Sequence, residues 1–485
     1  MRSITYEQFG AAGDGLVNDL PAIVQAHQHA NANGLPVRAA PQACYYLGGR
    51  DLTAVIQTDT DWNTSKFIID DRAVENNQAH VFEIRSAHAP IPLQIPTLSK
   101  GQPALGFTLP QDCLVQVTDD HVRQFIRFGL NQNNGVPQSD CFIARRDGAI
   151  LTPIVWDFAT VTQAQALPID EAPLALRGGI FTTLANAAPS QYNYYARGIQ
   201  IRRSNVNVEG LSHFVLMEGD SGAPYHGFLR VDDCAHALVQ NSYFSGHKTY
   251  WTTGSAGLPV PMGSYDISLS RSIDVRFEGC RQSGITDATR WGVYTSNFCK
   301  DLSIVDCVFS RWDAHMGCAN VLVKDSALGH QCLNAIGHGQ LTLEGVRVYG
   351  ARLVNLREDY GCLWDGDLLV KDCVWHLPPG TSGPVSLVSA TQREDHDFGY
   401  PCTLPQRIHF ENVLIDDSQV AAGFAGVFLL PDFNPQAADG TALYPYGLPA
   451  VLDVSNVRTA SGREVGLCQN KVLEERYKRR LGWLD

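Results

Sequence analysis

The side chains able to do chemistry gather between positions 287 and 365, at similar offsets from a short repeated unit. Asp287 lies seven residues past Cys280; Asp313 and His315 lie six and eight past Cys307; Asn334 lies eight past Ser326, with His330 and His338 four and twelve past it. Arg290 and Tyr294 follow Asp287, and past Val346 come Arg357, Asp359, Tyr360 and Asp365. Two reactions need such a set. Cleaving a glycosidic bond by water takes one carboxylic acid to protonate the leaving oxygen and a second carboxylate as base or nucleophile. Asp287 with Asp313, or Asp313 with Asp359, are the candidate pairs, and Asp313, His315, Asp287 and Asp359 the candidate catalytic residues. Elimination or epimerisation at a uronate instead removes the proton α to a carboxylate. It needs that carboxylate neutralised and a His, Tyr or Lys base, for which His315, Tyr294, Arg290, Arg357 and Lys248 are the candidates. The bland alternative is a set of solvated loop residues. Against it stand the aromatic and glycine neighbours in Arg290-Trp291-Gly292-Val293-Tyr294, Arg311-Trp312-Asp313-Ala314-His315-Met316-Gly317 and Asp359-Tyr360-Gly361, a composition suited to holding a sugar. Arg290, Tyr294, Arg357, Tyr360 and His338 are therefore candidate substrate-binding residues. A second cluster adds Tyr195, Lys248 and Trp251, of which the tyrosine and tryptophan rings would stack on sugars.

The elements that must position these groups repeat. Short units of the form apolar-x-apolar-x-Asp/Asn/Gly-Cys/Ser/Val end at 280, 307, 326, 346 and 373, in steps of 27, 19, 20 and 27. Looser copies end at Ser242 and Val413. Steps near 20–27 suit one coil of a solenoid, in which no coil buries its own face and side chains at one register stack into ladders. Cys280, Cys307 and Cys373 share a register with Ser326 and Val346, so these thiols are expected in the core rather than at a metal.

The opening residues form an entry module. A glycine-rich turn, Phe9 to Gly15, is followed by Asn18-Asp19 as a helix N-cap and by Ala22, Ile23, Ala26 and Ala30 at helical period. The helix is expected to stop near Gly34, before an extended Leu35-Pro36-Val37. The turn lacks the preceding strand and the Lys-Ser/Thr of a nucleotide site. This stretch resembles the opening of the pectate-lyase-like superfamily of right-handed parallel β-helices, which includes polygalacturonase-related hydrolases, polysaccharide lyases and epimerases, and phage tailspike depolymerases. The resemblance implies an all-β, single-stranded solenoid with a helix capping its N-terminal end. Trp312-Asp313-Ala314-His315-Met316-Gly317 is also similar to the Asp-Pro-His-Glu segment of alginate C5-epimerases, with Ala314 for proline and Met316 for glutamate. Gly337-His338-Gly339 matches a polygalacturonase-type Gly-His-Gly, but the Asn-Thr-Asp-Gly of those hydrolases is absent, and Asp232-Asp233 lies too far upstream to copy their spacing.

The expected layout is a cap and first coil over 1–50, a β-helix over 51–430 with a β-rich insertion at about 95–195, and a C-terminal cap over 431–485 with a short basic helix, Glu474 to Arg480. Within the insertion, Val122–Phe128 and Ile154–Phe158 are predicted strands around an Asn131–Gly135 turn. With 485 residues, 44% of them hydrophobic, the chain can build a large core. Its net charge of −13 argues against nucleic acid or an anionic membrane as partner, and no apolar run reaches the length of a membrane span. The start, Met1 to Glu7, shows no apolar export signal, and thirteen cysteines with no Cys-x-x-Cys pair favour a reducing compartment or a protein that does not rely on disulfides. No cofactor and no metal are expected. An oligo- or polysaccharide is the expected partner, and hydrolysis leads because carboxylates outnumber uronate-neutralising groups. A lyase or epimerase is the alternative reaction, and a non-catalytic glycan-binding or tail-type subunit the alternative role. Related solenoids place sites between subunits, which leaves a homotrimer open.

Overall fold

The computed structural model describes residues 3–127, 129–392 and 396–483. Parallel strands stack in register through most of the chain. One lane runs Ala235–Gln240, Ile273–Glu278, Tyr294–Val305, Val308–Lys324, Gly337–Glu344, Trp364–His376 and Arg407–Asp416. The repeated unit has a backbone reason. Its Asp/Asn/Gly position takes a left-handed conformation, φ between 48° and 65° at Gly279, Asp306, Asp325, Gly345, Asp372 and Asn412, where the chain turns from one strand to the next. Only glycine and the short polar residues adopt it cheaply. The next residue points inward, so Cys280, Cys307, Ser326, Val346, Cys373 and Val413 form the expected ladder, all buried. All thirteen cysteines are free thiols, and only Cys44 is more than slightly exposed.

The helix Leu20–Asn33 covers the first coil with Leu20, Ala22, Ile23, Ala26 and Ala30, and ends at Gly34 with φ 62°. Its N-terminus departs from expectation. Asp19 is the cap position but gives the helix no side-chain hydrogen bond; its carboxylate turns back and accepts from the Ala12 and Gly13 amides at 2.6 and 3.2 Å. Asn18 accepts from the Leu20 and Gly48 amides instead, tying the turn to the first coil.

The insertion is an antiparallel sheet of Ile91–Pro92, Cys113–Gln124, Val136–Ala144 and Gln163–Pro168. It ends earlier than the expected 195, because Leu174–Arg177 already pairs with the solenoid strands Thr60–Asp61 and Val206–Glu209. The predicted strand from Val122 stops at Gln124; Phe125 has φ 55°, and Phe128 lies outside the described residues, as do Met1 and Arg2. Ile154–Phe158 is not a strand. Its alternation reflects Ile154 and Phe158 filling the insertion's own apolar cluster, while the Val155 amide donates to Asp140. At the other end the solenoid continues past 431, since Val451–Thr459 pairs with Arg407–Asp416. The final helix spans Lys471–Arg480, capped by Asn470. Among the described residues no helix is long and apolar enough to cross a membrane.

Buried histidines make the fold sensitive to pH from both sides. Burial pushes His27 and His80 down to about 3 and His226 to about 4. The unfolded chain takes up protons near pH 6.5 that these folded groups refuse, so their contribution is lost as pH falls below that value. His247 is the opposite case. Burial lowers it, but Asp266 and Glu218 outweigh burial and hold it at about 9, so its contribution is complete below about 6.5 and disappears as pH rises through about 9. Calorimetry is expected to show the melting temperature highest near pH 6.5 and falling both toward pH 4 and toward pH 9; a flat profile from pH 4 to 10 would contradict the assignment.

Candidate functional site

A cleft of about 1090 Å³ runs across the outer face of the solenoid. Its floor is one lane of strands in register: Arg230 lies opposite Ser268, Ser268 opposite Thr295, and Thr295 opposite Asp313. Walls come from Arg127, Leu130, Asn131 and Asn133 of the insertion, from a hairpin at Val260-Pro261, and from Tyr192 and Tyr194.

Asp313 sits on the floor because strand alternation buries Trp312 and Ala314 and turns Asp313 outward. Its Oδ1 accepts from Arg357 at 2.8 Å; its Oδ2 accepts from Arg311 at 2.8 Å and from the Tyr265 hydroxyl at 3.0 Å. Arg357 spans two carboxylates. Its Nη1 holds Asp313, while Nε and Nη2 form a fork on Asp359 at 3.0 and 2.7 Å. Arg127, from the insertion, donates to the same Asp359 at 2.6 Å. Burial alone would raise both carboxyls, but Arg311 and Arg357 at Asp313, and Arg357 and Arg127 at Asp359, outweigh it and hold both well below the usual carboxylate range. Asp313 is sealed, its side chain 1% exposed, whereas Asp359 is 28% exposed and faces the cleft.

His315 owes its position to a slip in register. Ser296 pairs with Ala314 and Asn297 with Met316, so His315 is an extra residue on its strand, an arrangement that re-aims a side chain. Its Nε2 lies 3.0 Å from the Tyr360 hydroxyl. Burial, with help from Arg357 and against the pull of Asp313, brings His315 down to about 4, so the imidazole is neutral at physiological pH. The insertion is seated beside it. Gly317 has φ 78°, and a Cβ there would lie 2.9 Å from Phe125, whose ring meets Phe298, Tyr360 and Tyr400 edge-on.

The structure thus brings together Asp313, His315, Arg357 and Asp359, with Tyr360 buried behind them under Arg127 and Arg357. It does not bring in the rest. Asp287 and Arg290 pair with each other on an exposed loop off the cleft lining. The floor residue matching Asp313 is Thr295, because the loop between Cys280 and Tyr294 adds length that the next coil lacks. Tyr294 is a core residue packed on Phe277, Phe309 and Trp312. His338 is buried against Trp156 and near Asp365; Tyr195 is buried against Tyr225. Lys248 pairs with Asp220, and Trp251 is exposed on a hairpin strand and is not part of the lining. Sequence reasoning missed Arg311, Tyr265 and Arg127. Arg311 was visible as the i−2 neighbour of Asp313 on one strand face. Arg127 carried no local signal.

No family model matches the chain. Over 146 residues it is 32% identical to a capsule KL64-specific depolymerase of Klebsiella phage P510, a match covering 26% of this chain and 14% of that protein. The chain therefore spans only a small part of that relative's length. Among solved structures it is similar to the gp61 tailspike of Pseudomonas phage phi297, with a TM-score of 0.52 and 11% identity over 94% of this chain and 80% of that one. The gp49 tailspike of Pseudomonas phage LKA1 gives a TM-score of 0.48 and 14% identity over 94% and 81%. With its lanes of in-register parallel strands and the fold it shares with the phi297 tailspike, the chain is a right-handed parallel β-helix protein.

Proposed function

We propose that this chain cleaves a polysaccharide laid along the cleft, and does so by elimination at an acidic sugar. The observation that carries the reading is a neutral imidazole, His315, next to a guanidinium, Arg357, at the cleft centre. Arg357 and its neighbours would hold the sugar carboxylate and the charge that spreads onto it as the adjacent C–H bond breaks. With Nε2–H donated to Tyr360, His315 Nδ1 takes the C5 proton; the C4–O4 bond breaks, C4=C5 forms, and solvent protonates the leaving oxygen. Hydrolysis is less well supported by these groups. Asp313 and Asp359 are both kept ionised, so neither is poised to protonate a leaving group, and Asp287 stands apart. The charge argument for hydrolysis also reverses locally. Arg127, Arg202, Arg230, Arg271, Arg311 and Arg357 line the cleft against Asp232, Asp233, Asp313, Glu358 and Asp359, although the whole chain carries −13. The likeness to a capsule depolymerase and to a tailspike fold supports a polysaccharide as the substrate.

Incubation with KL64 capsular polysaccharide, alginate and polygalacturonate tests the reading. Expected is chain shortening together with the ultraviolet absorbance of an unsaturated uronate on at least one polymer. New reducing ends without that absorbance would replace elimination by hydrolysis. Binding with no shortening of any of them would favour a glycan-binding tail subunit.

A further inference from the structure

We propose that the far end of the cleft, at Arg230 and Asp232, is a separate subsite that binds the hydroxyl face of a neutral sugar, so that the substrate is a mixed polymer carrying both acidic and neutral units. The inference rests on the polysaccharide reading of the cleft but concerns different residues. Arg230 and Asp232 project from one strand, His226–Asp232, on the face opposite the buried Leu229 and Val231. Arg230 is separated from Asp313 by three strand spacings, about 14 Å at about 4.8 Å each. That distance is bridged only by several linked rings. Between the two ends the lane carries short side chains, Ser268, Ser270 and Thr295, which leave a trough rather than a barrier.

The chemistry of the two ends differs. At the centre, Asp313 has both oxygens occupied by protein donors. At the far end, Asp232 is 3% exposed, and its Oδ2 takes both Gln200 Nε2 at 2.7 Å and Arg230 Nη2 at 3.0 Å. That leaves Asp232 Oδ1 and Arg230 Nε buried with no partner among the described residues. An acceptor and a donor side by side match a hydroxyl, which donates and accepts, and a buried polar group left unpaired is costly. A second sugar carboxylate, which only accepts hydrogen bonds, would leave Asp232 Oδ1 unpaired. Tyr194, with its ring 5.3 Å from that of His226 at the start of the same strand, supplies an aromatic wall to the cleft.

Saturation-transfer NMR with methyl glucoside, methyl galactoside and methyl rhamnoside, each at millimolar concentration, tests the assignment directly. The wild-type protein is expected to give a difference signal with at least one of them. Asp232→Asn and Arg230→Gln should each lower it at least about fivefold, whereas His315→Ala leaves it unchanged. Tyr194→Ala, at the cleft wall, guards against misfolding in the two buried variants and should weaken the same signal. No signal from any of the three glycosides, or a signal that survives all three cleft variants, would overturn the proposal. Polymer cleavage is measured separately. Loss of the cleavage reading with glycoside binding intact would remove the reaction and leave the subsite standing; cleavage with no glycoside binding would do the reverse.

Discussion

Replacing His315 with alanine is expected to slow polymer cleavage by about 10²–10⁴-fold while the melting temperature stays within a few degrees of wild type. The residue is half-buried at the cleft, its ring makes one side-chain hydrogen bond, to Tyr360, and it is the extra residue of its strand, so its loss opens no core cavity. The pH profile should agree. A base must be unprotonated to act, and His315 lies at about 4, so activity should rise through that value and be independent of His315 from there to neutrality. Fitting the rate from pH 3 to 8 on a polymer the protein cleaves checks both parts. Full activity in His315→Ala, or an acid limb near the ordinary imidazole value, would remove His315 as the base.

The other large effect belongs to Arg357. Arg357→Met should destabilise the fold by about 3–5 kcal/mol, because it strands two carboxylates that share one buried guanidinium. Asp313 would keep Arg311 and Tyr265, and Asp359 would keep Arg127, but Asp359 would lose the charge that most offsets its burial and Asp313 the second of its two guanidinium partners. Arg357→Lys, which keeps a positive charge between the two carboxylates, should recover part of the loss, since the penalty lies in the missing charge rather than in the missing side-chain volume. Denaturant unfolding of the two variants measures it. Equal stability in both would show that packing, not electrostatics, sets the role of Arg357.

The repeated unit made the solenoid legible because each of its positions answers to a local requirement. Apolar residues at period two face inward, a residue that tolerates left-handed φ makes the bend, and a small side chain stacks beneath its neighbours. In the structure the same alternation turns Asp313 outward from a strand, where the sequence predicts a loop. Equal offsets failed for Asp287 because coils differ in loop length, and only the pairing of strands reveals that Thr295, not Asp287, is the neighbour of Asp313. Tyr294 misled for a related reason: aromatic residues serve a core and a sugar platform equally well, and the strand's register sends this one inward.

By itself, then, the sequence determined a capped parallel solenoid and its ladder of small buried side chains, because these follow from contacts close in the chain or from a repeat. It places Asp313 and His315 on a loop past Cys307, whereas both stand on the strand Val308–Lys324. The tertiary structure decided which other groups meet them. Arg127 reaches Asp359 across 232 positions once Phe125 docks beside Gly317, and Arg357 closes on Asp313 from two coils away. It also decided the charge states, since a neutral histidine and two ionised carboxylates result from burial set against neighbouring guanidinium groups. Both depend on distances through space, which residue spacing does not encode when loops of unequal length lie between the partners.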